Sequence, residues 1–172
     1  MKKQIVLIGM MGSGKTTVGK QLAEILDWTF IDLDEEIEKR ENKKISQIFN
    51  DNGEQYFRKK EKETIKEFVN LEKTILSLGG GAFEDEETQR LLKEKTTVIF
   101  LKASSKEIFE RIKNEIHRPL LHKNFSLETI EFILKKRQEN YEKAHYKIVT
   151  DNKTPQEITN DILGVIKWLK LI

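Results

Sequence analysis

The sequence contains no cysteine. Disulfides, thiolate metal sites and thiol nucleophiles are thereby excluded, and a reducing, cytoplasmic setting is expected. No apolar run approaches the roughly 18 residues of a membrane span, so no membrane association is expected. The opening MKKQIVLIGMMG imitates a signal peptide only briefly. Its apolar run is short, no small-residue cleavage site follows, and GSGKTT begins at once. Charge of one sign is also lacking. Lys and Arg total 31 against 29 Asp and Glu, for a formal charge of +2. The signs are interspersed, with no basic stripe and no recognition motif, so no nucleic-acid partner is expected. The three histidines have no metal-ligand partners at motif spacing, which removes zinc, and His145 reads as structural. Internal repeats and low-complexity tracts are absent.

What remains is 172 residues of ordinary globular composition, suited to one compact domain spanning 1–172. Short apolar runs at 4–8, 29–31, 74–78, 97–101 and 146–149 predict five strands. Helical periodicity predicts helices over 14–26, 33–41, 85–93, from Ser104, over 126–144 and from Pro155. A further helical region begins at Ile45, is broken by Gly53 and resumes over 54–70. Ser104 with Glu107, and Thr154 with Pro155 and Glu157, are start signals for helices. Strands alternating with helices predict an α/β fold, a parallel sheet covered on both faces with right-handed crossovers. No linker separates two domains.

Residues 9 to 16 read G-M-M-G-S-G-K-T, a full match to G-x-x-x-x-G-K-[ST], with a strand before and a helix after. Glycines let the backbone turn sharply and aim successive amides at an anion. The helix amino end adds unpaired N–H groups and a favourable dipole. Lys15 supplies a point charge for the outer phosphates. Thr16 offers a hydroxyl to Mg²⁺, a hard ion that prefers oxygen. The loop identifies a nucleotide site and leaves the reaction open.

The groups that receive the phosphate lie elsewhere. The second strand ends in Asp32-Leu33-Asp34, where strand ends line the ligand crevice. One carboxylate would hold Mg²⁺ through water and the other orient or deprotonate an acceptor hydroxyl; helix capping is an equal alternative. The third strand ends in Gly79-Gly80-Gly81, suited either to close approach by a ligand or to a plain loop. Arg137 shares the inward stripe of its helix with Leu134 and Tyr141, and invites a planar anion such as a carboxylate. Arg58 lies in the segment GEQYFRKKE. Arg118, in the charged connection RPLL, would reach the transferring phosphoryl as part of a lid at about 112–124.

These elements, in this order and at these intervals, closely resemble shikimate kinase over almost the whole chain. The matching segments are GMMGSGKT, Asp32-Leu33-Asp34, GEQYFRKKE, LGGG, Arg111, RPLL and RQENY at 137–141. The resemblance implies a three-layer α/β/α P-loop kinase fold with strand order 2-3-1-4-5. It implies transfer of the terminal phosphoryl of ATP to the 3-hydroxyl of shikimate, in the pathway to chorismate and the aromatic amino acids. Asp34 would contact the acceptor hydroxyls, with Asp32 and Thr16 at the Mg²⁺ site. Arg58 and Arg137 would grip the shikimate carboxylate in an acceptor region at about 33–61. Gly79, Gly80 and Gly81 would line the pocket, with Phe49, Phe57 and Glu61 nearby. Gly12, Ser13, Gly14, Lys15, Thr16 and Thr17 would hold the nucleotide phosphates with Arg118. Arg111, Asn152 and Lys153 would lie beside adenine. A monomer without an obligate protein partner is implied. Met10-Met11 stands at a variable apolar pair, and Thr16 replaces a frequent serine with its hydroxyl retained.

Two rival readings remain at the level of sequence. A kinase for gluconate or a nucleotide would share the loop, although a nucleotide acceptor calls for a base pocket that the sequence does not provide. A regulatory nucleotide-binding module would bind ATP without acceptor-dependent turnover.

Overall fold

The structure is a computed structural model, and it describes residues 4–113 and 126–169. Five strands form one parallel sheet in the order β2-β3-β1-β4-β5. They are β1 (Gln4–Ile8), β2 (Thr29–Asp32), β3 (Thr74–Ser77), β4 (Thr97–Lys102) and β5 (Tyr146–Val149). Every neighbouring pair is parallel, with Val6 opposite both Leu76 and Val98. The helices are α1 (Lys15–Leu26), α2 (Leu33–Glu41), α3 (Ile45–Phe68), α4 (Glu86–Lys95), α5 (Ser105–Ile112), α6 (Leu127–Tyr141) and α7 (Pro155–Trp168).

Side chains alternate across a strand, so each apolar strand feeds two cores. Val6, Ile8, Leu76, Val98 and Phe100 point to the face covered by α2, α3 and α4, where they meet Leu33, Ile37, Phe57, Ile65 and Leu92. Ile5, Leu7, Ile75, Ile99 and Leu101 point to the other face and meet Val18 and Leu22 of α1 and Ile158, Ile162 and Ile166 of α7. A smaller cluster of Met10, Ala103, Ile108, Ile112 and Ile130 lies beyond the strand ends, between the phosphate loop, α5 and α6.

Local signals place most helix starts. Thr154 accepts the N–H of Glu157 while the Glu157 carboxylate accepts from Thr154, completing the box ahead of Pro155. Ser104 accepts the N–H of Glu107, but the Glu107 carboxylate turns to Arg111 instead of closing a box. Gly53, at φ 82° and ψ 170°, kinks α3 where the sequence predicts a break. The predicted helix over 126–144 is shorter: Ser126 is its cap, and Lys143 and Ala144 close a tighter turn on Asn140 and Tyr141. A 3-10 turn over Ala82–Glu84, not expected from sequence, joins the glycines to α4. His145 is structural: its Nδ1 accepts the Val98 N–H at 3.0 Å and its own N–H donates to the Val98 carbonyl, extending the β4–β5 ladder. No helix among the described residues is long and apolar enough to cross a membrane.

Candidate active site

The carboxyl ends of β1, β2 and β3 converge, and the sequence-predicted groups meet there. The loop after β1 carries Gly14 into the left-handed region, where it caps α1. Lys15 folds over the loop and donates to the carbonyls of Gly9 at 2.9 Å and Met10 at 3.0 Å. Gly12, Gly14, Lys15, Thr16 and Thr17 line a cavity of about 340 Å³, closed by Arg111, Lys153, Pro155 and Ile158. Ser13 is fully buried beneath the loop and its hydroxyl has no hydrogen-bond partner.

Asp32 is the helix cap, and its second oxygen is turned to the phosphate loop. Oδ1 caps α2 by accepting the N–H groups of Asp34 and Glu35, and Oδ2 accepts from the Thr16 hydroxyl at 2.9 Å. A hydroxyl and a carboxylate thus converge beside the phosphate loop. This pair of hard oxygens fits Mg²⁺, which takes few protein ligands and keeps its waters and substrate phosphates. Among the described residues, no group of three or more His, Cys, Asp or Glu side chains is arranged to hold a metal.

Asp34, one residue into α2 past the cap, turns toward the triple glycine. A Cβ on Gly79 would lie 2.6 Å from its Oδ1. The same test puts a Cβ on Gly80 3.1 Å from Arg137 Nη1, and one on Gly81 2.5 Å from Arg58 Nη2. With no side chains of their own, the glycines let three charged groups lie close against the backbone, and a larger residue would have to push those side chains aside. They bring together a carboxylate from α2, a guanidinium from α3 and another from α6.

Arg58 is held by Glu61 at 2.8 Å and Glu54 at 3.3 Å. Burial opposes its charge, but Glu61 and Glu54 outweigh that and raise its pKa. Glu61 is 3% exposed, and its Oε1 has no hydrogen-bond partner. Burial pushes its carboxyl up to about 7, with Arg58 and Arg137 pulling down and Asp34 pushing further up. Phe57 is a core residue packed on Phe49 at 4.8 Å, below the Arg58 guanidinium.

The Glu61 shift has a measurable consequence. Its folded pKa lies above the ordinary 4.5, so the native state binds this proton more tightly than the unfolded chain. Its contribution to stability is complete below about pH 4.5 and is lost as pH rises through about 7, a change on the order of 3 kcal/mol. Urea unfolding of wild type and Glu61→Gln at several pH values should show the wild type losing ground to the variant across this window. Parallel pH profiles would show that Glu61 titrates normally.

Arg111 does more than line the nucleotide cavity. It pairs with Glu107, donates to the Gly12 carbonyl at 3.3 Å, and bonds both the hydroxyl and the carbonyl of Thr150. It thereby ties the phosphate loop to the end of β5. Asn152 occupies a left-handed turn at φ 56° and is not part of the cavity wall. Lys153 is in the wall, with its ammonium on Asp161. Pro155 reads in the sequence only as a helix start and Ile158 is not singled out there, yet both lend the cavity apolar wall. Arg118 and its RPLL segment lie outside the described residues, as does the expected lid from residue 114 onward.

A phosphate loop on a parallel sheet of order 2-3-1-4-5 is the layout of the P-loop kinases. A gluconokinase from Sinorhizobium meliloti shares the fold alone, at TM-score 0.60 and 18% identity, covering 98% of this chain and 93% of that one. Closer likenesses narrow the class. The family model described as shikimate kinase matches residues 11–167. A shikimate kinase of Persephonella marina is 46% identical over 165 residues, 96% of this chain and 99% of that protein. A solved shikimate kinase from Acinetobacter baumannii, in complex with shikimate, superposes with TM-score 0.92 at 34% identity, covering 99% of this chain and 96% of that one. The chain belongs to the shikimate kinase family.

Proposed function

We propose that the protein is an ATP-dependent shikimate kinase that transfers the terminal phosphoryl of ATP to the 3-hydroxyl of shikimate. Family membership supports this. The single observation that carries it is the convergence of Asp34, Arg58 and Arg137 on three glycines beside a phosphate loop. Two guanidinium groups suit a carboxylate, and a carboxylate suits a hydroxyl. A small hydroxylated acid meets both demands.

In this mechanism Arg58 and Arg137 bind the acceptor carboxylate and fix its ring. Asp34 then orients the acceptor hydroxyl, accepts its hydrogen bond and takes its proton as the new P–O bond forms and the bond from the terminal phosphorus to the bridging oxygen breaks, releasing ADP. Lys15, and Arg118 as the lid closes, spread the charge on the transferring group and keep water out. Thr16 and Asp32 would hold Mg²⁺, which would supply charge neutralisation for the transferring phosphoryl group. Arg111, Lys153, Pro155 and Ile158 hold the nucleoside side. A single kinase domain over 1–172, with a lid at about 112–124 and an acceptor region at about 33–61, working as a cytoplasmic monomer, completes the proposal.

A coupled assay of ADP release should show turnover that requires shikimate, with gluconate and nucleoside monophosphates far poorer acceptors. ADP release that is indifferent to shikimate would overturn the proposal. Arg58→Ala should raise the KM for shikimate about 10- to 100-fold, the worth of a hydrogen-bonded charge pair, with the KM for ATP little changed. An unaltered shikimate requirement in a variant that melts normally would remove Arg58 from the carboxylate site.

A further inference from the structure

Tyr141 reads in the sequence as a core residue, the last member of the inward stripe of α6. The structure gives it a second role. Its ring packs on Phe100 of β4 at 5.0 Å, and it is 1% exposed. Its hydroxyl, however, leaves the core and donates to the carbonyl of Gly80. Burial pushes the phenol up to about 12 against the pull of Arg137, so it remains a donor throughout the working pH range. Arg137 stands one helical turn earlier on the same helix.

Gly80 is the junction. A Cβ there would lie 3.1 Å from Arg137 Nη1, 3.6 Å from the Tyr141 hydroxyl and 3.7 Å from the Gly9 carbonyl of the phosphate loop. The Gly80–Gly81 peptide is trans. A planar trans peptide points its N–H opposite to its C=O. Holding the Gly80 carbonyl toward α6 therefore turns the Gly81 N–H away from it. Three glycines in a row have the least restricted backbone of any tripeptide, and nothing in their own side chains can fix that orientation.

We propose that Tyr141 is a positioning residue for the acceptor: its hydroxyl locks the Gly80–Gly81 peptide and sets Arg137 and Arg58 at the spacing that one carboxylate requires. The proposal rests on the reading of these arginines as the carboxylate site. The bond orders the glycine backbone before the acceptor arrives, so less conformational freedom is lost on binding. It also makes α6, which carries Arg137, a fixed wall of the pocket rather than a helix resting on the core.

Tyr141→Phe keeps the ring and its packing and removes only the hydroxyl. The expected result is a rise of about 3- to 10-fold in the KM for shikimate, with the KM for ATP unchanged and a melting temperature within about 4 °C of wild type. Phe100→Leu serves as the comparison. It loosens the same packing without touching the hydroxyl, and should lower the melting temperature while leaving the KM for shikimate near wild type. Arg137→Ala tests the site itself and should raise the KM for shikimate strongly. A Tyr141→Phe enzyme with unaltered KM, beside an impaired Arg137→Ala enzyme, would overturn the positioning role and leave the site intact. Equal rises in both KM values, shared by Phe100→Leu, would reduce Tyr141 to a packing residue and overturn it too. An Arg137→Ala enzyme with normal shikimate affinity would remove the carboxylate site and the inference with it.

Discussion

Asp34→Asn is expected to lower kcat by about 10²- to 10⁴-fold, the usual worth of a positioned general base, with the fold intact. The substitution preserves size and hydrogen-bonding reach but cannot take a proton. Asp34 owes its place to its neighbour: Asp32 caps α2 and accepts the Asp34 N–H at 3.1 Å. That fixes the first turn of the helix and sends the Asp34 side chain toward Gly79, where a Cβ would meet Oδ1 at 2.6 Å. The amide should keep these relations, so the loss falls on kcat and kcat/KM together rather than on KM. Steady-state ADP release, with unfolding as the control for the fold, measures it. A variant that keeps more than about a tenth of wild-type kcat would show that Asp34 only lines the pocket, because proton transfer is worth at least about 10²-fold.

Lys15→Ala carries the other large expected effect, a loss of about 10²- to 10³-fold in kcat, by analogy with the removal of one preorganised electrostatic donor. The ammonium rests on the carbonyls of Gly9 and Met10. These are neutral acceptors, and an anionic phosphate oxygen makes a bond roughly twice as strong. Nucleotide binding is therefore expected to draw the ammonium from its own loop to the phosphates. Lys15→Arg should not rescue the enzyme, since a planar guanidinium cannot occupy the space of a compact ammonium. Calorimetry with ATP and turnover with shikimate separate the binding loss from the chemical loss. Near-normal kcat in Lys15→Ala would show that the reaction does not depend on this ammonium.

Much of this site was legible along the chain because its signals are local. The phosphate loop is eight consecutive residues whose glycines, lysine and threonine act through spacing alone. The caps at Ser104 and Thr154 work over three residues. The alternation of apolar runs with helical periods predicts a parallel sheet with both faces covered, and β1 delivers it by sending Ile5 and Leu7 one way and Val6 and Ile8 the other. The capping of α2 by Asp32 is local in the same way, and it uses one carboxylate oxygen while the other accepts from Thr16.

The nonlocal relations were harder to read. Arg111 reads as a residue beside adenine, but three of its partners are Gly12 and the two oxygens of Thr150, far away in sequence. Glu61 reads as a pocket neighbour. That its carboxyl is held up near 7 follows from burial and from three charges on α2, α3 and α6, none of which can be summed before the chain folds.

The sequence by itself determined that residues 9 to 16 carry a phosphate-loop motif, that a parallel sheet underlies it, and which carboxylates and arginines are the candidates to serve an acceptor. Those are properties of residue type and of spacings within a few residues, which strand and helix geometry convert directly into positions. Only the tertiary structure decided that Gly79, Gly80 and Gly81 face Asp34, Arg137 and Arg58 in turn, and that Tyr141 holds the middle of that run. The physical reason is that a glycine has no side chain with which to declare a partner. What it touches is set by the packing of helices from opposite ends of the chain.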